Sequence, residues 1–163
     1  MSVRLTGDVR SPCFVALLSL LTSSAVWAQG SSAFVVATIA GTGDSGFSGD
    51  GGPAIAAQLV SPGGLAVDHN GVIYVADSGN NRIRRITPSG IISTLAGTGA
   101  YGVSTGDGGP AIKAGLANPT GIAVDLTGSV YIAGGGSIRR ITPDGIIQTV
   151  AAGIAGQYIS TDI

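Results

Sequence analysis

The hydrophobic residues of the central part of the chain fall into short runs separated by turn residues. Gly71 and Gly90 end two of the intervening turns, where a glycine can adopt positive φ at no steric cost. This pattern predicts four short antiparallel strands in one unit. The runs cover residues 65–67, 72–76, 83–86 and 91–96.

Two of these runs say more about the packing of the unit. Both alternating sets of residues in 72–76 are apolar, which is typical of a strand covered on both faces. Ile83 and Ile86 lie three residues apart, which breaks the two-residue period of a strand. We therefore predict a β-bulge at Arg84 and Arg85 that turns both isoleucines toward the core.

The unit occurs twice. GDGGPAI at 49–55 returns at 106–112, PGGLAVD at 62–68 returns as PTGIAVD at 119–125, and RIRRITPSGIISTLAG at 82–97 returns as SIRRITPDGIIQTVAA at 137–152. A tandem four-stranded antiparallel unit predicts a β-propeller blade. The coils of a β-helix, the competing solenoid, are much shorter than this repeat.

The spaced series GTGxxGFSGDGGPAxxAxLxxPxGLAVDxxGxIYVADxxNNRIRRI is similar to the NHL-repeat family of β-propellers in its longer-loop form. The resemblance implies an all-β fold, a partial β-propeller of four-stranded antiparallel blades. Its parts would be the outer strand of a preceding blade (29–41), NHL repeat 1 (42–97), NHL repeat 2 (98–153) and the truncated start of a further repeat loop (154–163). The second repeat departs from the pattern at 134–137, where Gly-Gly-Gly-Ser stands.

About two and a half units are too few to close as a monomer, since propellers have four to eight blades. Two explanations stay open. The chain is a fragment of a longer propeller, or copies of it assemble as a homo-oligomer that completes a ring.

The first 28 residues have the order of a secretory signal peptide. Arg4 and Arg10 precede an apolar run at 13–21, and small residues follow up to Ala28, where we predict cleavage. The apolar run is too short to span a membrane. The sequence therefore predicts an exported protein, periplasmic or extracellular, with no membrane span.

Composition narrows the range of partners. The chain of 163 residues has 28 Gly, 10% charged residues and a formal net charge of -1. Such a balance lacks the basic surface that nucleic-acid binding requires, so we expect no nucleic-acid partner. The single cysteine lies within the predicted leader, so the mature chain would have no disulfide.

Two glycine-rich motifs resemble sites of chemistry. GTGDSG at 41–46 and GTGAYG at 97–102 fit G-x-G-x-x-G, and Asp68 follows at the distance of a ribose-binding acid. The FSGDGGP after the first motif cannot open the helix that dinucleotide binding requires, so we interpret both as turns. GDSG also occurs in the nucleophile loop of trypsin-like proteases, where a histidine must act as the base on the serine. The one histidine of this chain, His69, lies in a hairpin turn, so we do not predict a serine-protease site.

The aspartates have turn roles in this interpretation. Asp68, Asp125 and Asp77 each precede a turn and are expected to bond their own backbone two residues on. Asp50 and Asp107 open identical GDGGPA loops, where a capping role is expected. The alternative is a Ca²⁺ site that includes Asp44 and Asp50 with loop carbonyls.

Paired arginines recur at the blade spacing, as Arg84-Arg85 and Arg139-Arg140. Basic stripes can bind anions or RNA, but the leader and the net charge argue against RNA here. We expect solvated charges on an outer strand, where they discourage edge pairing.

Together these features predict an exported, non-catalytic NHL-repeat module that serves in binding or as a scaffold. Its ligand, an unknown protein or carbohydrate, would meet the loop face formed by 42–61 and 98–118. We name no catalytic, cofactor-binding or metal-binding residue and expect no cofactor. The alternative is a propeller enzyme, a lyase or hydrolase, whose catalytic residues lie in missing blades.

Overall fold

Two sheets of the same design follow one another along the chain. The computed structural model describes residues 36–102 and 104–153, so the predicted leader and the segment 154–163 lie outside the described residues. Each sheet has four antiparallel strands in sequence order. The first contains β1 (Pro62–Val67), β2 (Ile73–Asp77), β3 (Arg82–Ile86) and β4 (Ile92–Ala96). The second contains β5 (Pro119–Val124), β6 (Val130–Gly134), β7 (Ser137–Ile141) and β8 (Ile147–Ala152).

The fold is all-β and has the form of two propeller blades that do not close into a ring, as the sequence predicts. The helices of the described residues are three-residue 3-10 turns, Ala54–Ala56, Ser78–Asn80 and Ala111–Lys113. No helix in the described part of the chain is long and apolar enough to cross a membrane.

Each sheet has two faces, and in the first blade both are covered. On the front face, Val75, Ile86 and Ile92 pack against Ala54 and Ala57 of the segment that precedes β1. This packing covers one side of β2.

The rear face of the first blade meets the second blade. Tyr74, Ala76 and Ile83 form one cluster there with Leu116 and Ile132 of the second repeat. The prediction that the second run is buried on both faces is therefore confirmed.

The prediction of a bulge at Arg84 and Arg85 is wrong, because the bulge lies in β4 and not in β3. The pairing of β2 with β3 is regular, and the register shift lies between β3 and β4, where Ile83 pairs with Ala96 and Arg84 with Thr94. The extra residue is thus Leu95 of β4. Ile83 and Ile86 point to opposite faces of a regular strand, and both are buried because both faces are covered.

The inner strands β1 and β5 approach each other closely. A Cβ placed on Gly64 would lie 2.8 Å from the carbonyl oxygen of Thr120 and 3.1 Å from the Cα of Gly121. Contacts below about 3 Å force the backbone to move, so this position needs a glycine. The two glycines of the PGGLAV strand therefore let neighbouring blades converge at their inner edges.

The segment 36–41 forms no strand in the structure. An outer strand pairs with the third strand of its own blade, and no described residue supplies such a strand on that side. The rest of the predicted outer strand, residues 29–35, lies outside the described residues.

The GDGGPA loops form backbone hydrogen bonds with the outermost strands β4 and β8. The Gly51 N–H donates to the carbonyl of Ile92 at 2.8 Å, and the Ile92 N–H donates to Gly52 at 3.0 Å. In the second repeat, Gly108, Gly109 and Ile147 make the same pair of bonds at 2.8 and 3.0 Å. The glycines thus place two backbone groups in ladder geometry beside the outer strand.

Candidate functional site

A fully buried arginine holds the loop of the first repeat to β3. Arg84 donates through Nη2 to Asp50 Oδ1 at 2.8 Å and to the Ser48 carbonyl at 3.0 Å. Its Nη1 lies 3.4 Å from Asp77 Oδ2, and the side chains of Arg84 and Asp77 are both 0% exposed. The second oxygen of Asp50 accepts a bond from the Thr94 hydroxyl at 2.7 Å.

The second repeat rebuilds this cluster with fewer charges. Arg139 donates to the carbonyl of Gly115 at 2.7 Å, to that of Thr105 at 3.0 Å and to the carboxylate of Asp107. Gly134 occupies the position of Asp77, so this arginine has one acidic partner instead of two. Hydrogen bonds from Arg139, and then from Thr149, hold the pKa of Asp107 below its ordinary value.

The expectation that the paired arginines are solvated is wrong for one member of each pair. Arg84 and Arg139 are buried, whereas Arg85 is exposed and Arg140 half-buried. Alternation along the strand places the first arginine of each pair on the front face, where the GDGGPA loop covers it. The sequence did not reveal which face the loop covers.

Three aspartates predicted as turn or cap residues serve these arginines instead. The 3-10 helix after Pro53 has no side-chain cap, and both oxygens of Asp50 are engaged by Arg84 and Thr94. Asp107 plays the same part in the second repeat. A repeated acid and a repeated arginine 34 residues apart could have indicated the first pair.

Asp77 is also not an Asx turn. Its buried carboxylate accepts bonds from the Val60 N–H and the Asn80 side chain, each at 2.8 Å, and lies near Arg84. The acid therefore ties the end of β2 to the approach of β1. The reason is burial: a carboxylate removed from solvent needs hydrogen-bond donors from the protein, and three neighbouring segments supply them.

The other two Asx predictions are confirmed. Asp68 Oδ1 accepts the N–H groups of Asn70 at 2.9 Å and Val72 at 3.0 Å, and Oδ2 accepts the Tyr74 hydroxyl. Desolvation raises the pKa of Asp68, but the bonds from Val72, Asn70 and Tyr74 outweigh it and lower the pKa overall. Desolvation and the adjacent Asp68 carboxylate raise the pKa of Tyr74.

The second repeat has the same hairpin chemistry. Asp125 Oδ1 accepts the N–H groups of Thr127 and Ser129 at 2.9 Å each. Bonds led by the Thr127 hydroxyl lower the pKa of Asp125, although desolvation opposes them. Both acids therefore fix the turn between the first two strands of a blade.

The glycine-rich motifs are turns, as interpreted from the sequence. Gly41 and Gly43 have φ of 94° and 92°, and no α-helix follows them within the described residues. Ser45 and Pro62, at the start of β1, line the same cleft, whereas His69 follows the far end of that strand. Six strand residues span about 20 Å, so the serine and the histidine cannot act together.

The two aspartates of the calcium alternative have different contacts in the structure. Asp50 is committed to Arg84 and Thr94, and no group of three or more His, Cys, Asp or Glu able to hold a metal occurs in 36–102 and 104–153. Asp44, the other residue considered, bonds through its backbone N–H to the Thr42 hydroxyl.

The two long segments divide into a buried and an exposed part. In the second, Ala111, Ala114 and Leu116 are 2%, 0% and 2% exposed and pack between the blades. The part before them, the tip loop (98–102 and 104–110), is mostly exposed, and Tyr101 is 91% exposed. Within this second segment, the tip loop is therefore the longest stretch accessible to a ligand.

The turn between β2 and β3 joins the two blades, a role that the sequence did not reveal. Asn81, at φ 50°, accepts the Asn118 N–H on Oδ1 at 2.9 Å, and Ser78 donates to the Pro119 carbonyl. Arg82 donates to the Thr98 carbonyl at 2.7 Å. The change to Gly-Gly-Gly-Ser in the second repeat indicates that these residues differ in role between the repeats. It does not indicate which residues they contact.

Arg82 is further held by an aromatic ring of its own repeat. Its guanidinium lies 3.8 Å from the ring centroid of Phe47, and that of Arg84 lies 4.9 Å away. This cation–π contact fixes the arginine so that it points toward the second blade.

Comparisons with known proteins agree with this architecture. The family profile described as the Teneurin NHL domain matches residues 34–105 and 101–158. Teneurin-3 of Mus musculus is 35% identical over 126 residues, which are 71% of this chain and 4% of that protein. Teneurin-4 of Homo sapiens is 41% identical over 98 residues, 53% of this chain and 4% of that protein. The chain thus spans 4% of the length of these curated relatives.

Among solved structures, a structural genomics protein of unknown function from Bacteroides thetaiotaomicron resembles 54% of this chain. The match covers 22% of that protein, with 28% sequence identity and a TM-score of 0.49.

Proposed function

Because the chain belongs to the Teneurin NHL domain family, we propose that it is an exported, non-catalytic NHL-repeat module that binds a protein ligand through its tip loop. The membership confirms the resemblance to NHL repeats drawn from the sequence.

The observation that carries the non-catalytic proposal is the composition of the inner strands. In a propeller these strands line the central channel, where a metal or an acid–base pair would have to lie. β1 is Pro-Gly-Gly-Leu-Ala-Val and β5 is Pro-Thr-Gly-Ile-Ala-Val, so Thr120 supplies the single polar side chain of the two strands. Neither strand offers a general base or a metal ligand.

The charged side chains elsewhere support the same proposal. Arg84 is paired with Asp50, and Arg139 is paired with Asp107. Asp68 stabilises a hairpin turn. Groups committed in this way are unavailable for proton transfer to a substrate. The exposed surface of the tip loop, held by a rigid sheet, is then the natural place for recognition.

Tyr101 is the residue that we expect to anchor the ligand. It is 91% exposed, and exposed aromatic side chains are frequent anchors of protein interfaces. The test is a screen of the purified chain against an array of extracellular proteins and an array of glycans. Each binder is then measured against the Tyr101→Ala variant.

Leu126→Ala is the matched control, since Leu126 is 89% exposed but lies in the turn at the opposite end of its blade. We expect Tyr101→Ala to weaken binding at least about tenfold, a hot-spot effect, and Leu126→Ala to leave it unchanged. Equal affinities for the two variants would contradict the tip-loop proposal. Binding to glycans alone would replace the protein ligand with a carbohydrate.

Export has its own test. Expression of the full chain in a secretion-competent bacterium should give a mature protein that begins at Gln29, after cleavage behind Ala28. Intact mass spectrometry of the exported fraction measures this directly. A cytoplasmic product that retains residues 1–28 would refute export without touching the binding proposal.

A further inference from the structure

The outer part of the tip loop, residues 99–102, has little support from its own blade. Just before it, the Thr98 N–H donates to the Ala114 carbonyl at 3.0 Å, so the base of the loop is fixed. Within it, the Ala100 N–H reaches the Thr98 hydroxyl at 3.4 Å, a long and local bond. Among the described residues, no hydrogen bond joins 99–102 to any strand of the second sheet.

The corresponding loop of the first repeat has a bond to its own sheet that the tip loop lacks. The Asn80 side chain, in the turn between β2 and β3, donates to the Gly46 carbonyl at 2.8 Å. In the second repeat this turn reads Gly-Gly-Gly-Ser at 134–137, against Asp-Ser-Gly-Asn-Asn-Arg at 77–82. The shorter turn contains no asparagine, so it cannot hold the outer part of the tip loop in this way.

A side chain of the first repeat supports the tip loop instead. Arg82 donates through Nη2 to the Thr98 carbonyl at 2.7 Å. Its Nη1 lies so close to Gly99 that a Cβ there would collide with the guanidinium. The planar guanidinium therefore lies against the backbone where the outer part of the tip loop begins.

Arg82 is itself held from two other sides. The ring centroid of Phe47 lies 3.8 Å from its guanidinium carbon, and its Nη1 donates to the Asn80 carbonyl at 3.0 Å. The aromatic ring stabilises the cation, and the bond to the carbonyl fixes the direction of the side chain. The second repeat has Ser137 at the position of Arg82 and Ser104 at that of Phe47, so of the two repeats only the first contains this arrangement.

We propose that Arg82, held by Phe47, is a positioning residue for the ligand site: from the first repeat, it orders the tip loop of the second. Tyr101 follows Gly99 by two residues, so their Cα atoms are at most about 7 Å apart, and the contact at Gly99 limits where Tyr101 can lie. A loop that is ordered before binding loses less conformational entropy in the complex. The effect on ligand affinity rests on the proposed function, whereas the effect on the order of the loop does not.

The order of the loop is measured by ¹⁵N relaxation on the full chain. In Arg82→Met, and in Phe47→Leu as a milder second variant, we expect the order parameters of the amides of 99–101 to fall from about 0.85 to below about 0.6. The first value is typical of a rigid backbone and the second of a flexible one. Phe47→Tyr retains the ring and should retain the order of the loop.

Arg85→Met is the matched control, since Arg85 is an exposed arginine on the opposite face of the same strand. It should leave the order parameters of 99–101 unchanged. A thermal melt shows which variants are folded, and if Arg82→Met is not, the comparison of Phe47→Leu with Phe47→Tyr decides. Unchanged order parameters in folded Arg82→Met, an equal fall in Arg85→Met, or the same result for the two Phe47 variants would overturn the proposal.

Binding kinetics distinguish positioning from direct contact with the ligand. When only a fraction of the molecules has the loop in the binding conformation, the apparent Kd rises by the inverse of that fraction. For a protein ligand whose binding Tyr101→Ala weakens, Arg82→Met should lower kon about tenfold and leave koff unchanged, as expected if about a tenth of the loops are ordered. A raised koff at constant kon would mean that Arg82 touches the ligand, and would overturn the positioning role.

The role of Arg82 and the site of ligand binding are tested independently. Loss of order in Arg82→Met would uphold the role of Arg82 even where Tyr101→Ala leaves binding unchanged, an outcome that would refute only the tip loop as the ligand site. Retained order in Arg82→Met would refute the role of Arg82 even where Tyr101→Ala abolishes binding.

Discussion

The two repeats allow the buried arginine to be tested against its own copy. Replacing Arg84 with Met keeps the apolar stem and removes the charge, and the same change at Arg139 serves as the matched comparison. Both arginines lie at the same position of the third strand, and each bonds the GDGGPA loop of its own repeat. They differ in how exposed the acid is that remains when the arginine is removed.

The expected magnitudes follow from the exposure of the acids. Without Arg84, the Asp77 carboxylate remains 0% exposed and loses its cationic neighbour. Breaking a buried pair in this way costs about 3–5 kcal/mol of unfolding free energy. Without Arg139, the Asp107 side chain is 49% exposed and stays hydrated. The loss is then that of hydrogen bonds to a charged group, about 1.5–3 kcal/mol.

Urea unfolding followed by far-UV circular dichroism at neutral pH measures the difference, which should be about 2 kcal/mol. Adding Asp77→Asn to Arg84→Met removes the stranded charge while an acceptor for the Val60 N–H remains. The double variant should therefore regain part of the lost stability. Equal destabilisation at Arg84 and Arg139, or no recovery in the double variant, would refute this account of the cluster.

Three further outcomes follow from the same structure. Asn81→Gly keeps the left-handed backbone but removes the bond to the Asn118 N–H, so amide exchange at Asn118 should accelerate about fivefold, equivalent to about 1 kcal/mol. The pKa of Asp107 is lowered by its arginine, so its stabilisation is complete above about pH 4 and is lost as the pH falls further; Asp107→Asn should flatten the acid limb of a stability–pH profile. Gly49→Ala should destabilise more than Gly51→Ala in thermal melts: both glycines have positive φ, but a Cβ at Gly49 would lie 2.8 Å from the Cα of Ala57, whereas the space at Gly51 is open.

Most of the fold could be predicted from the repeat in the sequence. Four apolar runs per unit, bounded by turn residues, predicted all four strands of each sheet, because strand formation depends on local alternation and on glycine at the turns. The same local logic held for Asp68 and Asp125, whose partners lie two and four residues ahead. Contacts between residues this close in the chain can be predicted from the order of the residues alone.

The arginine clusters were out of reach for the opposite reason. Arg84 meets Asp50 and Ser48, which are 34 and 36 residues away, and nothing local says which face of β3 the loop covers. The predicted bulge failed on the same ground, since the spacing of Ile83 and Ile86 is irregular only if one face is buried. Once both faces are covered, a regular strand accounts for it.

The sequence by itself determined the repeat, the strands, the hairpin turns and the family, because each of these depends on residues close together in one unit. The tertiary structure decided which charges are buried, and it made the turn at Asn81 a blade junction. These features depend on how one repeat packs on the next, and packing between units is set by surfaces that meet only after the chain has folded.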